Sequence, residues 1–301
     1  MSRLYYDVDI HSLLDELKVD YKESGKNVSR GWLGISCPFC EDHSYHCGVH
    51  LESKNFTCWI CGKKGSLPKL VKQITNLEWR AVFSLINASV SSINILGRSD
   101  YTNRSSHSLV MPLGVKNGIS RKIKSYLFER GLEPDYLESK YKLMHGLQFG
   151  DFKFRLVIPI FRNFELVSFT SRDVTNKSEL RYKNLPVSKS IIPVRDCVYN
   201  IDNVSDICVI TEGVFDAWTA DPYGVALFGV NYTANQLYQI YLKKFNKVIV
   251  CLDPKEKTKA KKLAMDLASF VPDVKLVQIQ SGKDPNDAAP SEIIDIKKEC
   301  I

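Results

Sequence analysis

The sequence predicts an α/β protein with a small metal-held ribbon near its N-terminus. Three observations lead there. Beyond residue 204, apolar runs alternate with helix-period segments, the pattern of a parallel sheet packed with helices. Near the start, four of the nine cysteines form two Cys-x-x-Cys pairs, a spacing that suits one tetrahedral metal. Between these regions, a helical stretch and hairpin-like runs rich in arginine predict a mixed α+β segment.

Composition sets the bounds. A chain of 301 residues has room for two or three domains. Its 44% hydrophobic content excludes global disorder. Net charge of +7 and a pI near 8.8 lean toward a polyanionic partner. No apolar run reaches membrane-spanning length, and Met1-Ser2-Arg3-Leu4-Tyr5-Tyr6-Asp7 lacks a signal-type apolar core. No membrane association is expected. An odd cysteine count without a signal predicts reduced thiols and a cytoplasmic protein.

Each element follows in order. Ile10, Leu13, Leu14 and Leu17 share one helical face, so a short amphipathic helix is expected within residues 1–20. Gly25 and Gly31 mark turns, and Trp32 to Ile35 reads as a strand. It runs into Cys37-Pro38-Phe39-Cys40. After 17 further residues comes Cys58-Trp59-Ile60-Cys61, then Gly62-Lys63-Lys64-Gly65. Each pair can sit on a tight knuckle with both sulfurs facing one point. Four thiolates leave Zn²⁺ no open position, so Cys37, Cys40, Cys58 and Cys61 are expected to hold one structural zinc. A redox Cys-x-x-Cys explains one pair but not two. His43, His46, Cys47 and His50 read as solvated or loop-packing groups. Phe39 and Trp59 are expected to fill the thin ribbon core. Lys63 and Lys64 read either as phosphate contacts or as a solvated turn.

Ser66 to Ala88 has a helical pattern through Leu67, Leu70, Val71, Ile74, Trp79, Val82, Phe83 and Ile86. Residues 97–108 are polar and turn-rich. The expected division is a zinc-binding domain over 1–96, a linker over 97–110, a basic subdomain over 111–203 and an α/β subdomain over 204–301. Arg121 to Arg130 reads as a helix ending at Gly131. Phe154 to Phe161 and Leu166 to Arg172 read as a hairpin turning at Arg162-Asn163. Arg155, Arg172, Arg181 and Lys183 are expected to share one sheet face and bind phosphate.

The last segment carries the candidate chemistry. The run Ile207 to Ile210 ends in Thr211-Glu212-Gly213. Val248 to Leu252 ends in Asp253. Val274 to Ile279 leads to Gly282-Lys283-Asp284-Pro285-Asn286-Asp287. Ligands bind at the C-terminal edge of such sheets. Three acids there, Glu212, Asp253 and Asp284, suit a hard divalent cation; one acid alone reads as a helix cap. Thr233 is placed to cap a helix carrying Leu237, Ile240 and Tyr241. Ala260, Leu263, Ala264, Leu267 and Ala268 follow helix periodicity.

These motifs together resemble DnaG-type DNA primases, which join a zinc ribbon to a TOPRIM module. The resemblance rests on Cys37-Pro-Phe-Cys40 with Cys58-Trp-Ile-Cys61, on Tyr126-Leu-Phe-Glu-Arg130-Gly131-Leu132, and on Arg155-Leu-Val-Ile-Pro-Ile160. It continues through Ser171-Arg172, Arg181-Tyr182-Lys183-Asn184, Glu212-Gly213-x-x-Asp216, Leu252-Asp253 and Lys283-Asp284-Pro285-Asn286-Asp287. It implies a primase core with a basic subdomain and a TOPRIM sheet, making short RNA primers on single-stranded DNA from ribonucleoside triphosphates. It implies that Glu212, Asp253 and Asp284 are catalytic and hold Mg²⁺ or Mn²⁺, with Asp216, Glu256 and Asp287 as further cofactor-binding residues. Arg155, Arg172, Arg181, Lys183, Lys63 and Lys64 would hold template or nucleotide phosphates. The family's usual Asp-x-Asp is here Asp253-Pro254-Lys255-Glu256, so Glu256 stands in for the second acid, as in some phage primases. The sequence stops soon after the TOPRIM region, so the expectation is a bacteriophage-type primase working with a separate helicase. Two rivals use the same residues: a TOPRIM nuclease, and a non-catalytic zinc-ribbon factor that binds single-stranded DNA.

Overall fold

The structure, a computed structural model, describes residues 8–40, 42–96, 109–279, 288 and 290–300. Most of the expected linker lies outside these residues. The described chain forms two compact units, Met1–Ser105 with Leu237–Leu242, and Ser106–Gln236 with Lys243–Ile301.

The first unit is a ribbon with three helices. Helix α1 (Ile10–Glu16) begins where the Asp9 carboxylate accepts the His11 N–H at 3.1 Å, and it buries Ile10, Leu13 and Leu14. Five short strands follow: β1 (Tyr21–Lys22), β2 (Trp32–Ile35), β3 (Cys47–His50), β4 (Asn55–Cys58) and β5 (Lys64–Ser66). They pair antiparallel in sequence order. Pairing fixes which side each residue faces. Leu33, Ile35, Cys47, Val49, Phe56 and Cys58 point to one side and are buried. Across the other side, Gly34 pairs with Gly48, Gly48 with Thr57 and Thr57 with Lys64. Gly48 leaves room for the Trp32 ring; an added Cβ would stand 2.9 Å from it.

The expected single helix over 66–88 is two helices, α2 (Leu67–Thr75) and α3 (Trp79–Leu96). Asn76 breaks them apart. It adopts the left-handed conformation at φ 53° and closes α2 by donating its N–H to the Lys72 carbonyl. The periodicity survived the break because both helices turn their apolar side to the same core. Helix α2 packs on α3 and β4, burying Leu67, Leu70 and Val71, while α3 buries Val82, Phe83 and Ile86.

The second unit holds two sheets. Helices α4 (Arg121–Phe128) and α5 (Pro134–Tyr141) sit within an antiparallel meander. Its strands are β6 (Val115–Asn117), β7 (Met144–Gly146), β8 (Arg155–Arg162), β9 (Glu165–Asp173) and β10 (Tyr182–Asn184), in the order β10-β9-β8-β7-β6. The β8–β9 hairpin turns through Asn163 and Phe164, both with positive φ, as a two-residue turn between twisted strands requires. Pro159 is tolerated in a central strand because β7 pairs only with Leu156 and Val157, so no ladder bond is lost at the proline. Phe152, Val157, Phe169 and Leu185 form the core on one side of this sheet.

The second sheet is parallel throughout. It contains β11 (Ile207–Thr211), β12 (Gly224–Ala226), β13 (Lys247–Val250) and β14 (Asp273–Leu276), in the order β12-β11-β13-β14. In chain order, helices α6 (Val214–Thr219), α7 (Ala234–Lys243), α8 (Lys257–Ala268) and α9 (Pro290–Lys298) alternate with the strands, and Leu237–Leu242 of α7 are counted with the first unit. Thr233 caps α7 as expected. Its hydroxyl accepts the Gln236 N–H at 3.3 Å, and the Gln236 side chain returns the bond to the Thr233 N–H at 2.9 Å.

Candidate functional site

Four sulfurs converge in the ribbon. Cys37 and Cys40 leave the end of β2, and Cys58 and Cys61 flank the turn from β4 to β5. All four Sγ atoms lie within 4.8 Å of one another, with Cys37–Cys61 at 3.9 Å and Cys40–Cys58 at 3.8 Å. Zn–S bonds of about 2.3 Å in a tetrahedron demand sulfur separations of about 3.8 Å, so the donor set fits zinc. The knuckles supply the local geometry. The Phe39 N–H points at the Cys37 sulfur at 3.4 Å. In the second knuckle Gly62 sits at φ 68°, a turn that strains other residues, and donates to the Cys58 carbonyl at 3.0 Å. The backbone at Lys63 lowers the Cys61 thiol to about 7, whereas burial pushes Cys37 and Cys40 up. Bound zinc would hold all four as thiolates.

The neighbours of this centre differ in part from expectation. Phe39 stacks on buried Phe56 at 5.2 Å, but Trp59 is 64% exposed. The knuckle explains why: the Trp59 N–H is tied to the His46 carbonyl at 3.1 Å, and the side chain points outward. His46 pairs with Asp42 at 3.1 Å, and Cys47 is fully buried opposite Cys58. Lys63 and Lys64 are exposed and make no ion pair among the described residues.

The acidic edge lies in the second unit. Strands β11 and β13 are parallel neighbours, with Ile210 paired to Val250, and the Cys251 N–H still bonds the Ile210 carbonyl at 2.8 Å. Glu212 and Asp253 are therefore the first acids beyond two adjacent strand tips, on strands about 4.8 Å apart. After β11 the chain goes to β12 on one side; after β13 it goes to β14 on the other. That reversal makes a switch-point crevice between them, the place where open α/β sheets bind ligands. Both carboxylates are half-buried. Asp253 accepts the Lys255 N–H at 2.9 Å. Glu256 is paired with Lys259 at 2.9 Å. Asp216 is buried and caps α6, accepting the Gly213 N–H at 3.2 Å. Asp284 and Asp287 lie outside the described residues. Among the described residues, the four cysteines are the one group of three or more potential metal ligands that converges.

The basic residues divide between two faces. Register pairs Arg155 with Asp173, Leu156 with Arg172, and Lys183 with Ser171. Arg155 and Lys183 thus point to one side of the sheet and Arg172 to the other, because side chains alternate along a strand. The shared face expected from sequence is not formed. Arg155 is buried and holds the 178–181 segment through Ser178 Oγ at 2.7 Å and the Leu180 carbonyl at 2.6 Å. Lys183 donates to the Asp151 carbonyl at 2.9 Å. Arg181 is exposed.

Arg172 faces α6, which starts directly after Glu212-Gly213. Its Nε donates to the Tyr126 hydroxyl at 3.0 Å. Its guanidinium lies 4.8 Å from the Tyr182 ring centre and 5.5 Å from that of Phe215. Arg130 approaches Tyr126 at 5.0 Å and Phe215 at 5.7 Å. Two guanidiniums and three rings thus stand beside the acidic edge, held by cation–π contacts. Sequence reading gave Tyr126, Arg130 and Tyr182 no role at the site and missed Phe215. The available signal was Tyr126 and Arg130 one helical turn apart, with Phe215 three residues after Glu212.

Residues 1–100 match the CHC2 zinc finger family, and residues 209–289 match the Toprim-like family. No curated protein matches the chain in sequence. In fold, the chain is similar to the zinc-binding and RNA polymerase domains of Aquifex aeolicus primase. That similarity has a TM-score of 0.50 and 18% identity, covering 98% of this chain and 83% of the other. The RNA polymerase domain of Mycobacterium tuberculosis primase DnaG overlaps 61% of this chain and 68% of its own, at TM-score 0.43 and 18% identity.

Proposed function

We infer that this chain, which has the domains and fold of a DnaG-type primase, synthesises short RNA primers on single-stranded DNA by nucleotidyl transfer. The observation that carries the reading is the placement of Glu212 and Asp253 on adjacent strand tips at a switch point, with an arginine cluster beside them.

Glu212, Asp253 and Asp284 would hold Mg²⁺ or Mn²⁺, whose oxygen preference matches carboxylates. The bound ion supplies positive charge where the primer 3′-hydroxyl meets the α-phosphate of the incoming ribonucleotide. Arg172 and Arg130 bring fixed positive charge to the same edge and offset the triphosphate. Tyr182, stacked on Arg172 and 41% exposed, offers a ring to a base. The buried Arg155 keeps the 178–181 segment in place. The zinc ribbon presents Trp59, Lys63 and Lys64 to the template. A separate replicative helicase and a phage source belong to this proposal through the resemblance alone.

Incubating the chain with single-stranded DNA and radiolabelled ribonucleotides tests it. New labelled oligoribonucleotides that require Mg²⁺ are the expected product. Shortened DNA with no labelled product would point to the nuclease reading, and DNA binding with no metal-dependent product to the non-catalytic one.

A further inference from the structure

Beside the first zinc knuckle is a groove of about 300 Å³, lined by Phe39, Lys69, Lys72, Gln73, Asn76 and Trp79. All six belong to the first unit. No carboxylate lines the groove among the described residues, and its two ionised side chains are both lysines. Phe39 rests one ring face on Phe56 at an interplanar angle of 7° and is only half-buried, which leaves its other face to a planar group. Lys69 and Lys72 lie one turn apart on α2. Lys72 is fixed, lying 5.0 Å over the Trp79 ring and donating to the Leu77 carbonyl at 3.0 Å. Lys69 is exposed, and its stem lies across Gly65, where an added Cβ would meet Lys69 Cδ at 3.0 Å. Gln73 gives its amide N–H to the Pro38 carbonyl at 3.1 Å, leaving its oxygen as an acceptor. Asn76 is exposed at the C-terminal end of α2.

We propose that this groove binds one nucleotide unit, with its phosphate between Lys69 and Lys72 and its base against Phe39. The volume sits at the lower end of small-molecule sites, about 300–1,000 Å³. Aromatic rings interleaved with lysines are the means by which proteins hold nucleotide units without reading a duplex. The Gln73 and Asn76 amides are placed to meet a base edge. The inference rests on the priming reading for its ligand class, but it uses no residue of the acidic edge. The same chemistry is offered by a strand and by a free nucleotide.

The test uses the full zinc-loaded chain, with fluorescein-labelled oligo(dT) and ATP as separate probes. In Lys69→Glu, binding of the responsible probe is expected to weaken about tenfold. For the strand, the slope of log affinity against log salt should fall by about one. In Phe39→Leu, loss of stacking should weaken the same probe about tenfold. Zinc content reports whether each variant is folded, and Lys69→Glu alone decides if Phe39→Leu loses its metal. Weakening for oligo(dT) only assigns a strand; for ATP only, a free nucleotide; for both, a site open to either. Unchanged affinity for both probes in zinc-loaded Lys69→Glu overturns the proposal. Priming by the unmodified chain is scored separately, so a chain that primes while Lys69→Glu binds normally loses the groove and keeps the function.

Discussion

Arg155 and Arg172 differ by which side of one sheet they face, and they are expected to fail differently when replaced. Arg155→Ala removes the charged donor for Ser178 and the Leu180 carbonyl, so it should cost about 2–3 kcal/mol in urea unfolding. Arg172→Lys keeps the charge but loses the planar contact with Tyr182 and Phe215 and the bond to Tyr126. Its expected signature is a loss of priming rate of about tenfold or more with ssDNA affinity nearly unchanged. Asp221 gives a pH prediction. Burial raises its pKa, but bonds from Lys140, Tyr136 and Tyr141 outweigh that and leave it below the usual 3.8. A depressed carboxylate stabilises the fold above its unfolded pKa, and that contribution fades as pH falls through the folded value. Asp221→Asn should therefore lower Tm at pH 7 relative to the unmodified chain, and the gap should close on acidification below about pH 4. A gap independent of pH would remove Asp221 as its source. Residue identities at the site were partly legible in the sequence. The strand-tip positions of Glu212 and Asp253 could be read because an apolar run ending in an acid marks a strand end. The sidedness of Arg155 and Arg172 could not, because it depends on a register that one chain segment does not reveal.

The zinc ribbon is the element whose stability has the most external source. Its strands are two to four residues long, too short to hold alone. Structural zinc in finger peptides contributes on the order of 10–16 kcal/mol. A chelator is therefore expected to unfold residues of the first unit while the parallel sheet of the second stays folded. Hydrogen exchange resolved by segment reads this directly; protection persisting in β2–β4 after metal removal would contradict it. Trp59 is the contrasting case: because its ring lies in solvent, Trp59→Ala should change stability by no more than about 0.5 kcal/mol. The hairpin of β8 and β9 was legible because both strands are long and apolar. Strands β3 to β5 were not, since Cys47-Gly48-Val49-His50, Asn55-Phe56-Thr57-Cys58 and Lys64-Gly65-Ser66 lack the apolar run that marked the equally short β2. The expected single helix failed at Asn76, a residue whose left-handed stop looks the same in sequence as a surface helical position.

Across the chain, the order of modules was readable because each has a local mark: paired cysteines for the ribbon, arginine-bearing strands for the middle, and acid-tipped strands for the parallel sheet. What no local mark could give is the topology that sets β11 next to β13 with β12 and β14 outside them. That order sets Glu212 and Asp253 just beyond two adjacent strand ends, and Arg172 reaches Phe215, three residues after Glu212, from a sequence-distant strand. The proposed catalysis depends on that adjacency. Its most direct measurement is Mg²⁺-dependent synthesis of labelled oligoribonucleotides by Glu212→Gln beside the unmodified chain, with ssDNA affinity and zinc content recorded for both. The account predicts a loss of about a hundredfold or more in synthesis, from removing several kcal/mol of transition-state stabilisation, with affinity and zinc unchanged. Equal synthesis by the two proteins would contradict it.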